Sequence, residues 1–337
     1  MYWKAIVGFF LMLIGELILL FFTIFFTSKL IGWTLLITTF FFLISMTTLV
    51  ILYFKLFSGD WENLIDISHL DVEEVKIPME KEWCMFARVL KSKNVKDKPQ
   101  PAIICHHGLS GYGKKLFHFA GPLAMKGYVL ILPDARAHGE SKRELKKAKM
   151  DDWYINEEEG IFSDFKKIID YACSRPDVDK KKIAIMGHSM GGVLCLTSGL
   201  QDERVKMVVA MSPFYSLNDF LESKRSRKKL SEEWFNKNAL RLIIDFKKLE
   251  ELETKISPKY YIEEIGREIT RKKIRLVHCK DDELALLEIG SEKIINVLDL
   301  PAEQYFLPNK GGHSLRGQET TILTRLFDWF EEFFSEN

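Results

Sequence analysis

The chain has 337 residues, 47% hydrophobic and 28% charged, and its 48 basic against 47 acidic side chains leave a formal net charge of +1. That length holds one large domain or two ordinary ones, and the balanced charge argues against a nucleic-acid partner. Five scattered cysteines, Cys84, Cys105, Cys173, Cys195 and Cys279, form no C-x-x-C pair and no zinc spacing, so they read as small buried hydrophobes and not as a disulfide framework.

Along the chain the first feature is a pair of apolar runs, Ala5–Phe26 and Leu30–Phe54, parted only by Thr27, Ser28 and Lys29. The second run has no charge and as a helix would be roughly 37 Å long at 1.5 Å per residue, enough to cross a bilayer core. The first holds one acid, Glu16, which a helix–helix contact would have to satisfy. Lys4 makes a thin positive head and no small-residue cleavage site precedes the second run, which argues against a removed signal peptide. The expectation is a retained transmembrane hairpin over residues 1–56, in contact with the bilayer through residues 5–54. Both chain ends then share a side. Lys4, the amino terminus and Lys55 against Lys29 give a small positive excess that places the large domain in the cytoplasm.

A linker over 57–74 leads into a third region, 75–337, where short apolar runs alternate with turn residues and charge. Val72–Ile77 and Trp83–Leu90 predict strands, and the polar turn "KNVKDKPQP" separates them from Ala102–Cys105. Gly127–Leu132 predicts a buried strand running into "PDARAHGES". Ile161, Phe162, Phe165, Ile168, Ile169 and Ala172 share one helical face. Ile183–Met186 predicts a strand and Val193–Leu200 a helix, followed by strands at Val205–Met211, Ile274–His278 and Ala302–Leu307 and an amphipathic helix near Thr321–Phe334. Strands alternating with helices predict an α/β fold with a mostly parallel sheet covered on both faces. Between Ser212 and Ile274 lie about sixty charged, helix-like residues without a strand, too long for an ordinary connection, and an inserted helical lid over about 213–262 is expected.

The densest chemistry is in "IAIMGHSMGG", residues 183–192, where Gly187 and Gly191 flank Ser189 in the pattern G-x-S-x-G. A serine on a sharp strand-to-helix turn exposes its hydroxyl at the sheet edge, and side chains two residues either side would collide there. The pattern alone arises by chance in glycine-rich turns. Here it follows a buried strand and opens a helix, which is the context a nucleophile elbow requires. A serine hydroxyl needs a base within hydrogen-bond reach, and His313 in the glycine-rich "NKGGHS" follows the last strand. A loop histidine is ordinarily just solvated. This one is singled out by the order serine, acid, histidine. The acid is expected in "IRLVHCKDDE", where Asp281, Asp282 and Glu283 are all open and two of the three read as surface charge.

Acyl transfer also needs backbone donors for an oxyanion, for which Met190 and, in "HHGLSGYG", Leu109 are the candidates. Gly108, Gly111 and Gly113 have a dinucleotide fingerprint reversed, and His106, His107, His118 and His138 show no zinc spacing, so no cofactor and no metal are expected. The basic run "KRSRKK", Lys224–Lys229, reads as a solvated loop in preference to a patch on anionic lipid.

From about Val75 onward the chain resembles the α/β-hydrolase superfamily, nearest its lysophospholipase, monoacylglycerol-lipase and prolyl-oligopeptidase-like branches. The resemblance rests on "HHG", "PDARAHGES", "GHSMGG", "HCKDDE" and "GGHS" in family order. It implies a serine hydrolase, and it selects Asp282 as the acid, four residues after His278, with Asp281 as fallback. Cys279 stands where the family usually has glycine. Asp134, Arg136 and His138 fall in a segment that braces the site in the family. The implied activity is hydrolysis of a carboxylic ester, lipid-derived or amphiphilic given the bilayer segment. A peptidase or amidase with the same residues is the alternative, and a catalytically inactive membrane scaffold ranks last because every position retains usable chemistry.

Overall fold

A computed structural model describes residues 15–16, 37–50, 67–79, 83–94, 98–109, 111–144, 160–226 and 249–336. The chain divides into two compact units, Met1–Trp61 and Glu62–Asn337. In the first, residues 37–50 form helix α1, which exposes Ile37, Phe40, Phe41, Phe42, Ile44 and Leu49. Among the described residues no helix is long and apolar enough to cross a membrane. Most of the hairpin expected over 1–56 lies outside the described residues.

The second unit is built on an eight-stranded sheet in the order β1-β2-β4-β3-β5-β6-β7-β8. Its strands are β1 Leu70–Pro78, β2 Cys84–Ser92, β3 Gln100–His106, β4 Val129–Pro133, β5 Val178–His188, β6 Val205–Met211, β7 Ile274–Val277 and β8 Tyr305–Phe306. β1 with β2 and β2 with β4 are antiparallel, and every other neighbouring pair is parallel. This is the mostly parallel sheet that the alternating pattern predicts. The central strands are buried on both faces, so they are near-continuous Val, Ile, Leu and Ala runs, as a parallel sheet covered on both sides requires.

Successive side chains on these strands point to opposite faces, and two separate cores result. One gathers Val89, Ile104, Ile131, Ile183, Ile185, Val208 and Ala210 under helix α3, Ile161–Ser174, and helix α4, Met190–Leu194, which runs on as a π-turn over Cys195–Gly199. The other gathers Ile103, Cys105, Leu130, Leu132, Ala184, Met186 and Val209 under helix α2, Phe117–Met125, and the closing C-terminal helix, Glu319–Glu336. Of the α3 face expected from the sequence, Ile161, Phe165, Ile168, Ile169 and Ala172 are buried and Phe162 is half-buried.

The described parts of the 213–262 stretch contain helices at Leu217–Glu222, Leu249–Ile256 and Pro258–Ile265, the last running past its end. Buried Glu253 ties them together, accepting from Ser216 Oγ at 2.9 Å, the Asn218 N–H at 2.8 Å and Ser257 Oγ at 2.7 Å, and pairing with Lys259 Nζ at 2.5 Å. Of the basic run only Lys224 to Ser226 is described, and Arg225 there lies 3.6 Å from Glu288 with both side chains exposed. The strand expected over 302–307 is confined to Tyr305–Phe306, because Pro301 leads into a 3₁₀ turn over Ala302–Gln304.

The strand register decides where the site can be. His106 is level with Gly187, His188 with Met211, Met211 with Val277, and Val277 with Phe306. The carboxyl ends of β3, β5, β6, β7 and β8 therefore form one edge, and the loops after them converge there.

Candidate active site

Ser189 is the first residue beyond β5, and its backbone is in a strained positive-φ conformation, φ 55° and ψ −116°. Such a conformation persists only where its surroundings over-determine it. Ser189 N–H donates to the Met211 carbonyl at 2.8 Å, and its carbonyl accepts from Val193 N–H at 3.0 Å. The two flanking glycines are demanded by close approach. A Cβ on Gly187 would come 2.3 Å from the Gly191 backbone, and one on Gly191 would come 2.1 Å from the His106 carbonyl oxygen.

His313 comes over the sheet edge from the other side. Its Nε2 is 2.8 Å from Ser189 Oγ, and its Nδ1 is 2.8 Å from Asp282 Oδ2. A carboxylate accepts only, so Nδ1–H donates to Asp282 and Nε2 is left to accept the Ser189 hydroxyl proton. The imidazole is thus held in the tautomer a general base needs.

Asp282 is fully buried in its side chain. Its Oδ1 accepts from the Leu284 and Ala285 N–H groups at 2.8 and 3.0 Å, and its Oδ2 faces His278 Nε2 at 3.2 Å as well as His313. Burial alone would raise its carboxyl. The facing His313, with hydrogen bonds from His278 and His313, instead holds it well below its ordinary 3.8. Asp281 and Glu283 are exposed. Asp281 points to the loop before the base, where its carboxylate accepts from the Gly312 N–H at 2.8 Å and the Gly311 N–H at 3.3 Å. The turn after β7 therefore turns the second aspartate inward and the first outward, with Cys279 accommodated as a buried side chain whose Sγ lies 3.5 Å from the Lys310 carbonyl.

The two expected oxyanion donors border the same spot. Met190 opens α4, so its N–H precedes the helix's own hydrogen bonding. The Gly108 carbonyl accepts from His107 Nδ1–H at 2.7 Å and from Gly111 N–H at 3.0 Å. In a planar trans peptide the next N–H points the opposite way, so these two bonds turn the Leu109 N–H away from His107. A Cβ on Gly108 would be 3.2 Å from Ser189 Cβ, which puts the Gly108–Leu109 peptide beside the serine.

His106, His107 and His138 are held in place by backbone groups. His107 Nε2 accepts from Ala135 N–H at 2.9 Å, His106 Nδ1 lies 3.1 Å from the His107 carbonyl, and His138 Nδ1 lies 2.9 Å from the Arg136 carbonyl. Burial lowers all three, His106 to about 4. Asp134 accepts from Gly113 and Glu140 N–H at 2.7 and 2.8 Å, and Arg136 makes a two-pronged pair with Asp164 at 2.5 and 2.7 Å. Burial raises Asp164 to about 6 even with Arg136 opposing it. Among the described residues no group of histidine, cysteine and carboxylate side chains is placed to hold a metal ion.

Two residues at this edge are not singled out by the sequence. His188 Nε2–H donates to the His313 carbonyl at 2.6 Å. His278 takes a hydrogen bond from Ser291 Oγ at 2.9 Å on Nδ1, while its Nε2–H faces Ala285 O at 2.5 Å and Asp282. The only sequence signal for either histidine was its place inside a motif, one residue before Ser189 and four before Asp282.

A family model for the alpha/beta hydrolase fold matches residues 101–245. Among curated proteins, the quorum-quenching protein AidA of Acinetobacter baumannii is 29% identical over 120 residues, 34% of this chain and 36% of that protein. The hydrolyase ccsE of Aspergillus clavatus is 31% identical over 125 residues, 36% of this chain and 27% of that protein. The alignments thus span about a third of each relative's length or less. Among solved structures, an acetyl xylan esterase from Paenibacillus sp. R4 matches with a TM-score of 0.57 at 18% identity, over 80% of this chain and 86% of that one. An acylaminoacyl peptidase from Pyrococcus horikoshii matches with a TM-score of 0.56 at 18% identity, over 81% of this chain and 42% of that one. At such identities the structural likeness speaks to the fold alone.

Proposed function

Since this chain has the alpha/beta hydrolase fold, we propose that it is a serine hydrolase that cleaves a carboxylic ester through an acyl-enzyme on Ser189. The observation that carries this reading is the single imidazole of His313, 2.8 Å from Ser189 Oγ on one nitrogen and 2.8 Å from Asp282 on the other. His313 takes the hydroxyl proton as Oγ bonds to the ester carbonyl carbon. The oxyanion that forms is held by the Leu109 and Met190 N–H groups. Collapse breaks the carbon–oxygen bond to the leaving alcohol, which receives the proton from His313. Water then repeats the sequence on the acyl-enzyme and frees the carboxylic acid. Asp282, kept ionised, stabilises the imidazolium in both halves.

The substrate is a lipid-derived or amphiphilic ester presented at a bilayer. What supports this is the apolar composition of residues 5–54, together with the row of large apolar side chains that α1 exposes. In this reading the hairpin over 1–56 anchors the chain, the hydrolase domain from about residue 75 faces the cytoplasm, and the helical stretch over 213–262 is a lid.

The test is labelling of the full chain in membranes with a fluorophosphonate, followed by hydrolysis of acyl esters and of aminoacyl amides. The expected result is a covalent adduct on Ser189 and turnover of esters well above amides. Preference for amides replaces the ester reading with the peptidase one, and absence of any adduct leaves an inactive scaffold. A chain lacking residues 1–55 is expected to leave the membrane pellet and keep its activity.

A further inference from the structure

His313 sits in a loop that has little rigidity of its own. It follows Gly311 and Gly312, both at positive φ, 141° and 58°, and glycine backbone loses more freedom on ordering than any other. A base that must stay within hydrogen-bond reach of Ser189 therefore needs restraints from outside its loop. Asp282 holds the ring. Asp281 holds the two glycine N–H groups. The carbonyl of His313 itself is held by His188 Nε2–H at 2.6 Å, with the two rings 5.1 Å apart.

His188 is placed to do more than close one hydrogen bond. Its backbone ends β5, level with Met211 of β6, so the residue is anchored on a central strand of the sheet. On its other side, Nδ1 and the carbonyl oxygen would lie 3.2 and 3.3 Å from a Cβ on Gly108. The ring is therefore seated between the Gly108–Leu109 peptide and the base loop, and its own chain continues directly into Ser189. Three segments far apart in sequence meet on this one side chain. The groups that face it are His313, Asp282 and His118, and burial, the largest influence, lowers its pKa to about 4. It is therefore a neutral donor over the range in which a histidine base works.

We propose that His188 is a positioning residue, whose Nε2–H fixes the His313 carbonyl so that the base stays in reach of Ser189 while its ring buttresses the oxyanion peptide at Gly108–Leu109. This rests on the serine-hydrolase reading above. It also specifies a donor at one ring atom, and amide side chains can mimic each ring nitrogen separately. Glutamine places an N–H near the Nε2 position and asparagine near Nδ1.

The experiment compares His188→Gln, His188→Asn and His188→Leu in the full chain, by steady-state hydrolysis of p-nitrophenyl butyrate and by the rate of fluorophosphonate labelling, with thermal melts alongside. His188→Gln is expected to stay within about threefold of wild type. His188→Asn and His188→Leu are expected to lose up to about 100-fold in kcat, the scale of an ångström-sized misplacement, with KM nearly unchanged. A purely structural role would lower the melting temperature without separating glutamine from asparagine or kcat from KM. If His188→Leu fails to fold, the glutamine and asparagine pair decides. Equal activity of those two variants, whether both high or both low, overturns the proposal, as does a loss confined to KM. The serine-hydrolase reading fails separately, through a wild-type chain that does not label or a Ser189→Ala chain that still does.

Discussion

Two loop regions at the carboxyl edge of the sheet, one after β4 and the other after β7 and β8, both contain aspartate and histidine and arrange them differently. The loop after β4 holds Asp134, Arg136, His138 and Ser141. Asp134 binds backbone N–H groups of Gly113 and Glu140, Ser141 Oγ donates to the Asp134 carbonyl and accepts from Phe86 N–H, and Arg136 pairs with Asp164. The loops after β7 and β8 hold Asp282 and His313; Asp282 Oδ1 also takes backbone N–H groups, but its other oxygen and the His313 ring bond side chain to side chain, across 31 residues to each other and across 124 to Ser189. Polar side chains that close on the backbone make a loop rigid. Polar side chains aimed at one another across the fold, with a buried carboxylate behind a half-buried imidazole and hydroxyl, leave a proton with somewhere to go. Residue type does not separate the two loops; the partners do.

Mutations sharpen the contrast. If Ser189 is the nucleophile as proposed, Ser189→Ala is expected to lower ester turnover by about 10⁴-fold or more, since no other group replaces it, while melting within a degree or two of wild type. Normal turnover in this variant would remove the distinction between the loops altogether. Next in size is the acid. Asp282→Asn is expected to lower kcat by roughly 10³–10⁴-fold, because an amide holds the wrong tautomer of His313 and leaves the imidazolium unpaired. Asp281→Asn is expected to cost less than about tenfold, since the amide oxygen still accepts from the glycine loop. A larger loss from Asp281→Asn than from Asp282→Asn would reverse the assignment, and steady-state kinetics on both variants decides it.

The bracing loop should respond in stability instead. Asp134→Ala strips acceptors from two backbone N–H groups and is expected to cost about 1–3 kcal/mol in denaturant unfolding, with kcat per folded molecule within a few-fold of wild type. A crippled but fully stable Asp134→Ala would place that loop in the chemistry.

The smallest expected effect is on pH. His106 and His188 are lowered from 6.5 to about 4, so between those values the unfolded chain binds protons that the folded chain refuses. Stability is then complete above about 6.5 and falls as the pH drops toward 4. Asp164, raised to about 6, works in the opposite sense between there and 3.8, which reduces the slope without supplying as many groups. The melting temperature is expected to fall by on the order of 5 °C between pH 7 and pH 5. A flat profile would show that these imidazoles are hydrated.

The legible parts of this protein are those whose cause is local. β6 was read to the residue, Val205–Met211, because a run of buried β-branched and apolar residues has one comfortable conformation. The helix at Phe117–Met125 was missed, since Gly121 and Pro122 inside it suppress a local helical signal and burial against the sheet overrides them. The helix at Ser291–Leu298 was also passed over; its apolar face is short and makes sense only against the first core. β8 shrank from the six residues expected to two for the converse reason, a strand-like composition interrupted by a proline-led turn.

At the site, "GHSMGG" marks Ser189 because an elbow admits no side chain at either flanking glycine: a Cβ on Gly187 would meet the Gly191 backbone at 2.3 Å and one on Gly191 would meet the His106 carbonyl at 2.1 Å. Nothing of that kind could choose between Asp281 and Asp282. They are identical side chains one residue apart, and the choice lies in how the turn after β7 rotates them, one to the glycine loop and one to His313. His188 and His278 lay in plain view within the motifs, yet their partners are a carbonyl 125 residues away and a serine 13 residues away. Sequence by itself determined most of the strands, the order of the loops and the place of Ser189 on the turn after β5, since these follow from short-range sterics and hydrophobic periodicity. The resemblance pointed to Asp282, but only the tertiary structure shows which aspartate meets His313, which tautomer that contact holds and where His188 and His278 find partners, because each depends on the direction of a side chain across strands that meet only when the sheet is assembled.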